Sequence, residues 1–222
     1  MIQTSAIILA AGDSGRMGTP KLSLMYSEGV SFVEQCVTQF LLFGCCKVVV
    51  VINHGGRKWI EQQKPPLLGN LLVANNSSTQ TDKHLHIQPG GKIVMVDNAH
   101  PERGRFYSLQ QGLLHIGKEH VVFVHNVDNP FISQGTLQTI YQASQHDEGF
   151  AWISPRYNGR GGHPILLSAR LAKAIRHEMT VDVNLKEYLS HEERTAVDLN
   201  DPGILKNINS MEDYQASGLP MT

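Results

Sequence analysis

Four short apolar runs, mostly β-branched, punctuate the first half of the chain: Ala6-Ile7-Ile8-Leu9, Val48-Val49-Val50-Val51-Ile52, Ile93-Val94-Met95-Val96 and Val121-Val122-Phe123-Val124. Runs with no polar alternation suit strands buried on both faces, as in a parallel sheet. Between the first two, residues 31–43 carry Phe32, Val33, Cys36, Val37, Phe40 and Leu41 on one helical stripe. Ser31 with Glu34 has the form of a capping box, and Gly44 is placed to end the helix. Residues 109–116 and 137–143 read as further helices. Strand and helix taking turns predicts an α/β fold with a mainly parallel central sheet.

Later segments are less regular. Residues 151–154 and 164–167 read as strands flanking a glycine-rich turn at 158–162, and residues 169–177 and 183–189 read as helices. Residues 69–91 are polar and read as an exposed insertion or mobile loop. With no linker and no internal repeat, residues 1–222 are expected to form a single domain.

A hydrophobic fraction of 41% and a charged fraction of 18% exclude a wholly disordered chain. A formal net charge of −1 lacks the basic footprint of a nucleic-acid binder, so a bound anion must be held by local geometry. Cys36, Cys45 and Cys46 are odd in number and have no C-x-x-C spacing, which favours a reducing compartment. The apolar run at 6–11 is too short for a signal peptide core or a membrane span, so the cytoplasm is expected and a membrane partner is not. His84 and His86 lie two apart, but no cysteine or carboxylate cluster completes a zinc set around them.

The first run leads directly into Leu9-Ala10-Ala11-Gly12-Asp13-Ser14-Gly15-Arg16-Met17-Gly18-Thr19-Pro20-Lys21. Glycines at every third position let backbone N–H groups turn toward a phosphate. Arg16 can grip phosphate oxygens with its fork and Lys21 supplies a point charge. The pattern is neither the G-x-G-x-x-G of dinucleotide binders nor a Walker A loop, since Lys21 follows Pro20. The best carboxylate is Asp128, just past the fourth run, where α/β sheets place their ligands. From the residues alone it serves equally as a Mg²⁺ ligand or as the start of a turn before Pro130.

The motif Leu9-Ala10-Ala11-Gly12-x-Ser14-x-Arg16-Met17-Gly18-x-Pro20-Lys21 resembles the signature of nucleotidyltransferases related to the molybdenum cofactor cytidylyl- and guanylyltransferases. The resemblance implies a three-layer, Rossmann-like nucleotidyltransferase fold. It implies that Leu9, Ala10, Ala11, Gly12, Ser14, Gly15, Arg16 and Lys21 wrap the triphosphate, with Arg16 and Lys21 neutralising it. Asp128 in Asp128-Asn129-Pro130 matches the family's Asp-x-Pro segment and by resemblance holds Mg²⁺; Arg16, Lys21 and Asp128 are then the catalytic set. His125-Asn126 stand where the family has small residues.

Gly104, Ser108, Leu109 and Gly112 resemble a Gly-x-x-x-Ser-Leu-x-x-Gly segment that approaches the nucleotide, with Ser108 expected to cap the helix that follows. Gly159-Arg160-Gly161-Gly162-His163-Pro164 resembles a turn bordering the acceptor pocket, making His163 a substrate contact. Residues 201–214 look like the closing motif, with Asn207 and Asn209 on the substrate side.

Ala11 matches members that use CTP, whereas Asn207 and Asn209 match the guanylyl branch, so CTP is favoured and GTP stays open. Asp182-Val183-Asn184 replaces the family's Asp-x-Gly-x-Arg. The implied activity is transfer of a nucleoside monophosphate, CMP from CTP, to a phosphorylated small molecule such as molybdopterin cofactor, with release of pyrophosphate. A sugar, polyol or choline phosphate acceptor is the alternative, as is a non-catalytic nucleotide-binding protein.

Overall fold

A computed structural model describes residues 3–12, 15–68, 85–87, 91–147 and 149–220. The chain begins with β1 (Thr4–Ala10), a hairpin of β2 (Met25–Ser27) and β3 (Val30–Ser31), then α1 (Phe32–Phe43), β4 (Lys47–Ile52) and α2 (His54–Gln63). It continues through β5 (Leu85–Ile87), β6 (Gly91–Asp97), α3 (Gly104–Leu113), β7 (Val121–Asn126) and α4 (Gln134–His146). The last third carries β8 (Trp152–Tyr157), β9 (Arg160–Gly161), β10 (Ile165–Leu167), α5 (Ala169–His177), α6 (Leu185–Ser190), β11 (Arg194–Asp198) and α7 (Met211–Ala216).

The four apolar runs become β1, β4, β6 and β7, which pair in parallel in the order β7-β1-β4-β6. Antiparallel strands extend this centre: β5 joins β6, while β10 joins β7 and β8. The result is a mixed, mainly parallel sheet covered on both faces. Side chains alternate strictly between the two faces. From β1, Ala6, Ile8 and Ala10 enter one core with Phe32, Cys36, Val37 and Phe40 of α1. Ile7 and Leu9 enter the other with Phe106, Leu109 and Leu113 of α3.

α1 forms as its sequence dictates. Ser31 and Glu34 make the reciprocal capping box, and Gly44 closes the helix at φ 98°. α3 differs from expectation. It begins at Gly104, whose φ of 80° suits glycine, so Ser108 lies inside the helix and does not cap it. Ser108 Oγ instead donates back to the Gly104 carbonyl at 3.1 Å and accepts from Asn98 Nδ2 at 3.0 Å. Gly112 lets α3 lie close on the sheet: a Cβ there would come within 2.8 Å of Ile7 Cγ2 and 3.1 Å of Val51 Cγ2.

The turn at 158–162 contains a two-residue strand, β9, paired with β8. Of the expected polar loop, residues 69–84 and 88–90 lie outside the described residues. Leu85–Ile87 is a strand and Gly91 opens β6, so these parts are sheet and not loop. Among the described residues no helix is long and apolar enough to cross a membrane.

Candidate active site

The carboxyl ends of β1 and β7 lie side by side, with Leu9 paired to Asn126. Each chain leaves its strand there, and Val127 N donates to Leu9 O at 3.1 Å, tying the two exits together. A cleft of about 410 Å³ opens between them. Leu9, Ala10, Ala11, Gly12 and Lys21 form one wall, and Asn126, Val127 and Asp128 the other. Pro101, Gly104, Arg105 and Ser108 close the side belonging to α3, and Asn209 reaches in from the closing segment. Asn53, the N-cap of α2, holds the loop in place by donating to the carbonyls of Ala11 and Gly12 at 3.2 and 3.3 Å.

Lys21 sits at the centre. Its Nζ donates to Asp128 Oδ2 at 3.2 Å and to Asn209 Oδ1 at 2.9 Å. Residues more than a hundred positions apart are thus gathered around one ammonium. Asp128 Oδ1 is buried and has no hydrogen-bond partner among the described residues. An unpartnered carboxylate oxygen at the floor of a cleft is costly unless a cation or donor arrives there. Asn209 is fixed from behind: Asp213 Oδ2 accepts from its backbone N–H at 2.8 Å within the capping box of α7. Ile208 N donates to Asp128 O at 2.8 Å, which stitches the closing segment to the end of β7.

Two histidines pack against each other beside the site, ring centroids 6.3 Å apart. His125 is fully buried, and its Nε2–H donates to Asn129 O at 2.6 Å. Burial pushes its pKa down to about 3, so the ring is neutral. His163 has its Nε2 3.1 Å from the Asn126 amide, and burial lowers its pKa too.

A second hollow of about 320 Å³ lies beyond His163. Trp152, Ile165, Leu185 and Leu189 form an apolar lining, while Arg105, Lys186 and Arg194 bring positive charge. Trp152 is pinned by its Nε1–H, which donates to the Leu189 and Glu192 carbonyls at 3.1 and 3.3 Å. Arg194 stands 5.4 Å from the centroid of that ring and donates through Nε to Ser154 Oγ at 2.8 Å.

Of the residues singled out in the sequence, Leu9, Ala10, Ala11, Gly12, Lys21, Gly104, Ser108, Asp128 and Asn209 line the first cleft. His163 lines the second. Gly15 opens a 3-10 turn, Gly15–Met17, and is not part of the lining. Ser14 and the Arg16 side chain lie outside the described residues. Asn207 is exposed and lines neither hollow, because the segment is anchored through buried Ile208 and only Asn209 faces inward. Arg105, Asn126, Trp152, Lys186 and Arg194 were not among the sequence candidates. The packing of α3 and α6 against the ends of β7, β8 and β11 brings them to these walls.

Residues 6–196 match the family model described as MobA-like NTP transferase domain. The chain is 25% identical over 215 residues to the molybdenum cofactor cytidylyltransferase of Escherichia coli, covering 96% of this chain and 95% of that protein. A nucleotidyl transferase from Methanothermobacter superposes with a TM-score of 0.68 at 22% identity, covering 97% of this chain and 95% of the other. The molybdopterin-guanine dinucleotide biosynthesis protein A of Archaeoglobus fulgidus does so with a TM-score of 0.61 at 15% identity, over 96% of each chain.

Proposed function

Because this chain belongs to the MobA-like NTP transferase family, and is a nucleotidyltransferase on that ground, we propose that it transfers CMP from CTP to a phosphorylated small molecule such as molybdopterin cofactor, in the cytoplasm. The observation that carries this reading is the convergence of the first loop, Lys21, Asp128 and Asn209 on one cleft. Similarity to a molybdenum cofactor cytidylyltransferase supports the acceptor class and the cytidine nucleotide.

The triphosphate lies along Leu9–Gly12, where backbone groups approach it closely, with Lys21 beside its β- and γ-phosphates. A phosphate oxygen of the acceptor attacks the α-phosphorus. The new O–P bond makes a mixed anhydride, the α–β bridging bond breaks, and pyrophosphate leaves with the bonding pair. The attacking oxygen is already ionised, so no protein base is required. Lys21 offsets negative charge as it builds on the departing pyrophosphate.

Asp128 and Asn209 offer hard oxygen donors that fit Mg²⁺ and would hold it in the cleft. When bound, Mg²⁺ neutralises phosphate charge and orients the reacting groups. The buried, unpartnered Oδ1 of Asp128 supports this assignment. The second hollow, bordered by His163, receives the acceptor.

Pyrophosphate release tests the reading, with CTP, GTP, ATP and UTP, Mg²⁺, and pterin, sugar and choline phosphates as acceptors. Turnover with CTP and a pterin phosphate is expected. Turnover only with a sugar or choline phosphate would move the acceptor class, and none with any pair would remove the activity.

A further inference from the structure

The nucleotide cleft and the second hollow have separate linings that meet at one shared side chain, Arg105. Arg105 is exposed at the start of α3 and takes part in no ion pair formed among the described residues. Its backbone is firmly held. Phe106, the next residue, packs on Tyr188 of α6 with ring centroids 5.0 Å apart. Gln110, one turn further on, donates to the Ile175 and Glu178 carbonyls at 2.9 and 2.8 Å. The same α6 contributes Leu185, Lys186 and Leu189 to the second hollow. The packed pair α3 and α6 therefore sets an exposed guanidinium, with no ion pair among the described residues, where the two chambers join.

The hollow itself has a definite chemical character. Among the described residues three cations reach it and no carboxylate does, while Trp152, Ile165, Leu185 and Leu189 supply an apolar bed. Such a lining takes a molecule with an anionic group on a flat or apolar body. Guanidinium is suited to bridging two phosphates because its fork presents donors in more than one direction.

We propose that Arg105 binds the acceptor's phosphate at the junction and aims its oxygen at the α-phosphorus, making it a specificity-determining residue for phosphorylated acceptors. Lys186 and Arg194 hold the far side of the same ligand. The inference rests on the nucleotidyltransferase reading for the reaction, but its binding half stands on the hollow alone.

Phenyl phosphate, an anion on a flat apolar ring, serves as the probe, titrated calorimetrically into the full chain and into Arg105→Ala and Arg105→Lys. Binding of CTP with Mg²⁺ is measured on the same samples and reports an intact nucleotide cleft. Arg105→Ala is expected to weaken phenyl phosphate about ten- to hundredfold, the range for losing a charged hydrogen bond, with part restored in Arg105→Lys. Because Arg105 also borders the nucleotide cleft, CTP binding should weaken too, but by less than the probe, since Lys21 stays in place. The inference is overturned if wild-type protein does not bind phenyl phosphate, if Arg105→Ala leaves that binding unchanged, or if it weakens CTP as much as the probe. Failure of the function itself reads differently: wild type would bind no triphosphate while phenyl phosphate still depended on Arg105.

Discussion

Replacing Asp128 by Asn keeps the shape of the side chain and removes only its charge. Asp128 Oδ2 lies 3.2 Å from Lys21 Nζ, with 17% of the lysine and 21% of the aspartate side chain exposed. Such a pair falls between an exposed ion pair, worth about 0–1 kcal/mol, and a charged hydrogen bond, worth about 1.5–3 kcal/mol. Lys21 keeps its bond to Asn209, so the loss in stability should be about 1 kcal/mol, or about 2–4 °C in Tm for a chain of this size. Turnover should fall much further, by about 10²–10³-fold, as when a preorganised electrostatic group is removed from an active site. That corresponds to about 3–4 kcal/mol of barrier. Two cations, Lys21 and Arg105, and one carboxylate supply the charged side chains lining the cleft among the described residues. Without the carboxylate, metal-free triphosphate should bind as well or better, while the benefit of added Mg²⁺ disappears. Pyrophosphate release and nucleotide titrations, each over a range of Mg²⁺, read both effects. Turnover within about tenfold of wild type, with unchanged dependence on Mg²⁺, would refute the role given to this carboxylate.

Gly112→Ala puts a methyl 2.8 Å from Ile7 Cγ2 in the packed centre of the sheet. Overpacking of about 1–3 kcal/mol outweighs the gain of about 1 kcal/mol in helix propensity, so thermal melts should show a net loss of about 1 kcal/mol; a stabilised variant would contradict the packing. Asn209→Asp adds a second carboxylate beside Asp128 and should lower the Mg²⁺ needed for half-maximal rate by about tenfold, since ligand charge tunes divalent-ion affinity. An unchanged Mg²⁺ titration would place Asn209 away from the ion.

His125 is held neutral by burial, with a pKa of about 3 against an ordinary value near 6.5. The unfolded chain therefore binds more protons in this window. Stability is fully present above about pH 6.5 and falls by about 1.4 kcal/mol per pH unit below it, with His163 acting in the same direction. Urea midpoints at pH 7 and pH 5 should show a smaller drop for His125→Gln than for wild type, and an equal drop would discount the histidine.

The central sheet was legible because β1, β4 and β7 are buried on both faces and their sequences contain little besides large apolar residues. α1 was legible to the residue, since Ser31, Glu34 and Gly44 each do locally what their chemistry favours. α2 was not. It opens on His54-Gly55-Gly56, poor helix formers, and buries only Gly56 and Ile60. β11 was missed because its residues alternate between exposed and half-buried, with none fully buried.

In the site, Lys21 and Asp128 could be paired from motif and strand end before their contact was seen. Asn207 and Asn209 could not be told apart, because which one faces the cleft depends on Ile208 docking against Asp128 O. Arg105 carried no local signal: its meaning comes from the junction of two hollows, a property of tertiary packing alone.

A thermal-shift titration of the wild-type chain with each of the four nucleoside triphosphates, with and without Mg²⁺, bears most directly on whether the cleft between the first loop and Asp128 holds a nucleotide. At a hundredfold excess over Kd, a ligand adds about 2.7 kcal/mol, which is a rise of about 5–10 °C in Tm. The expected result is a rise of that size with CTP, larger in Mg²⁺ than without it. A melting temperature that none of the four moves, in either condition, would contradict the site.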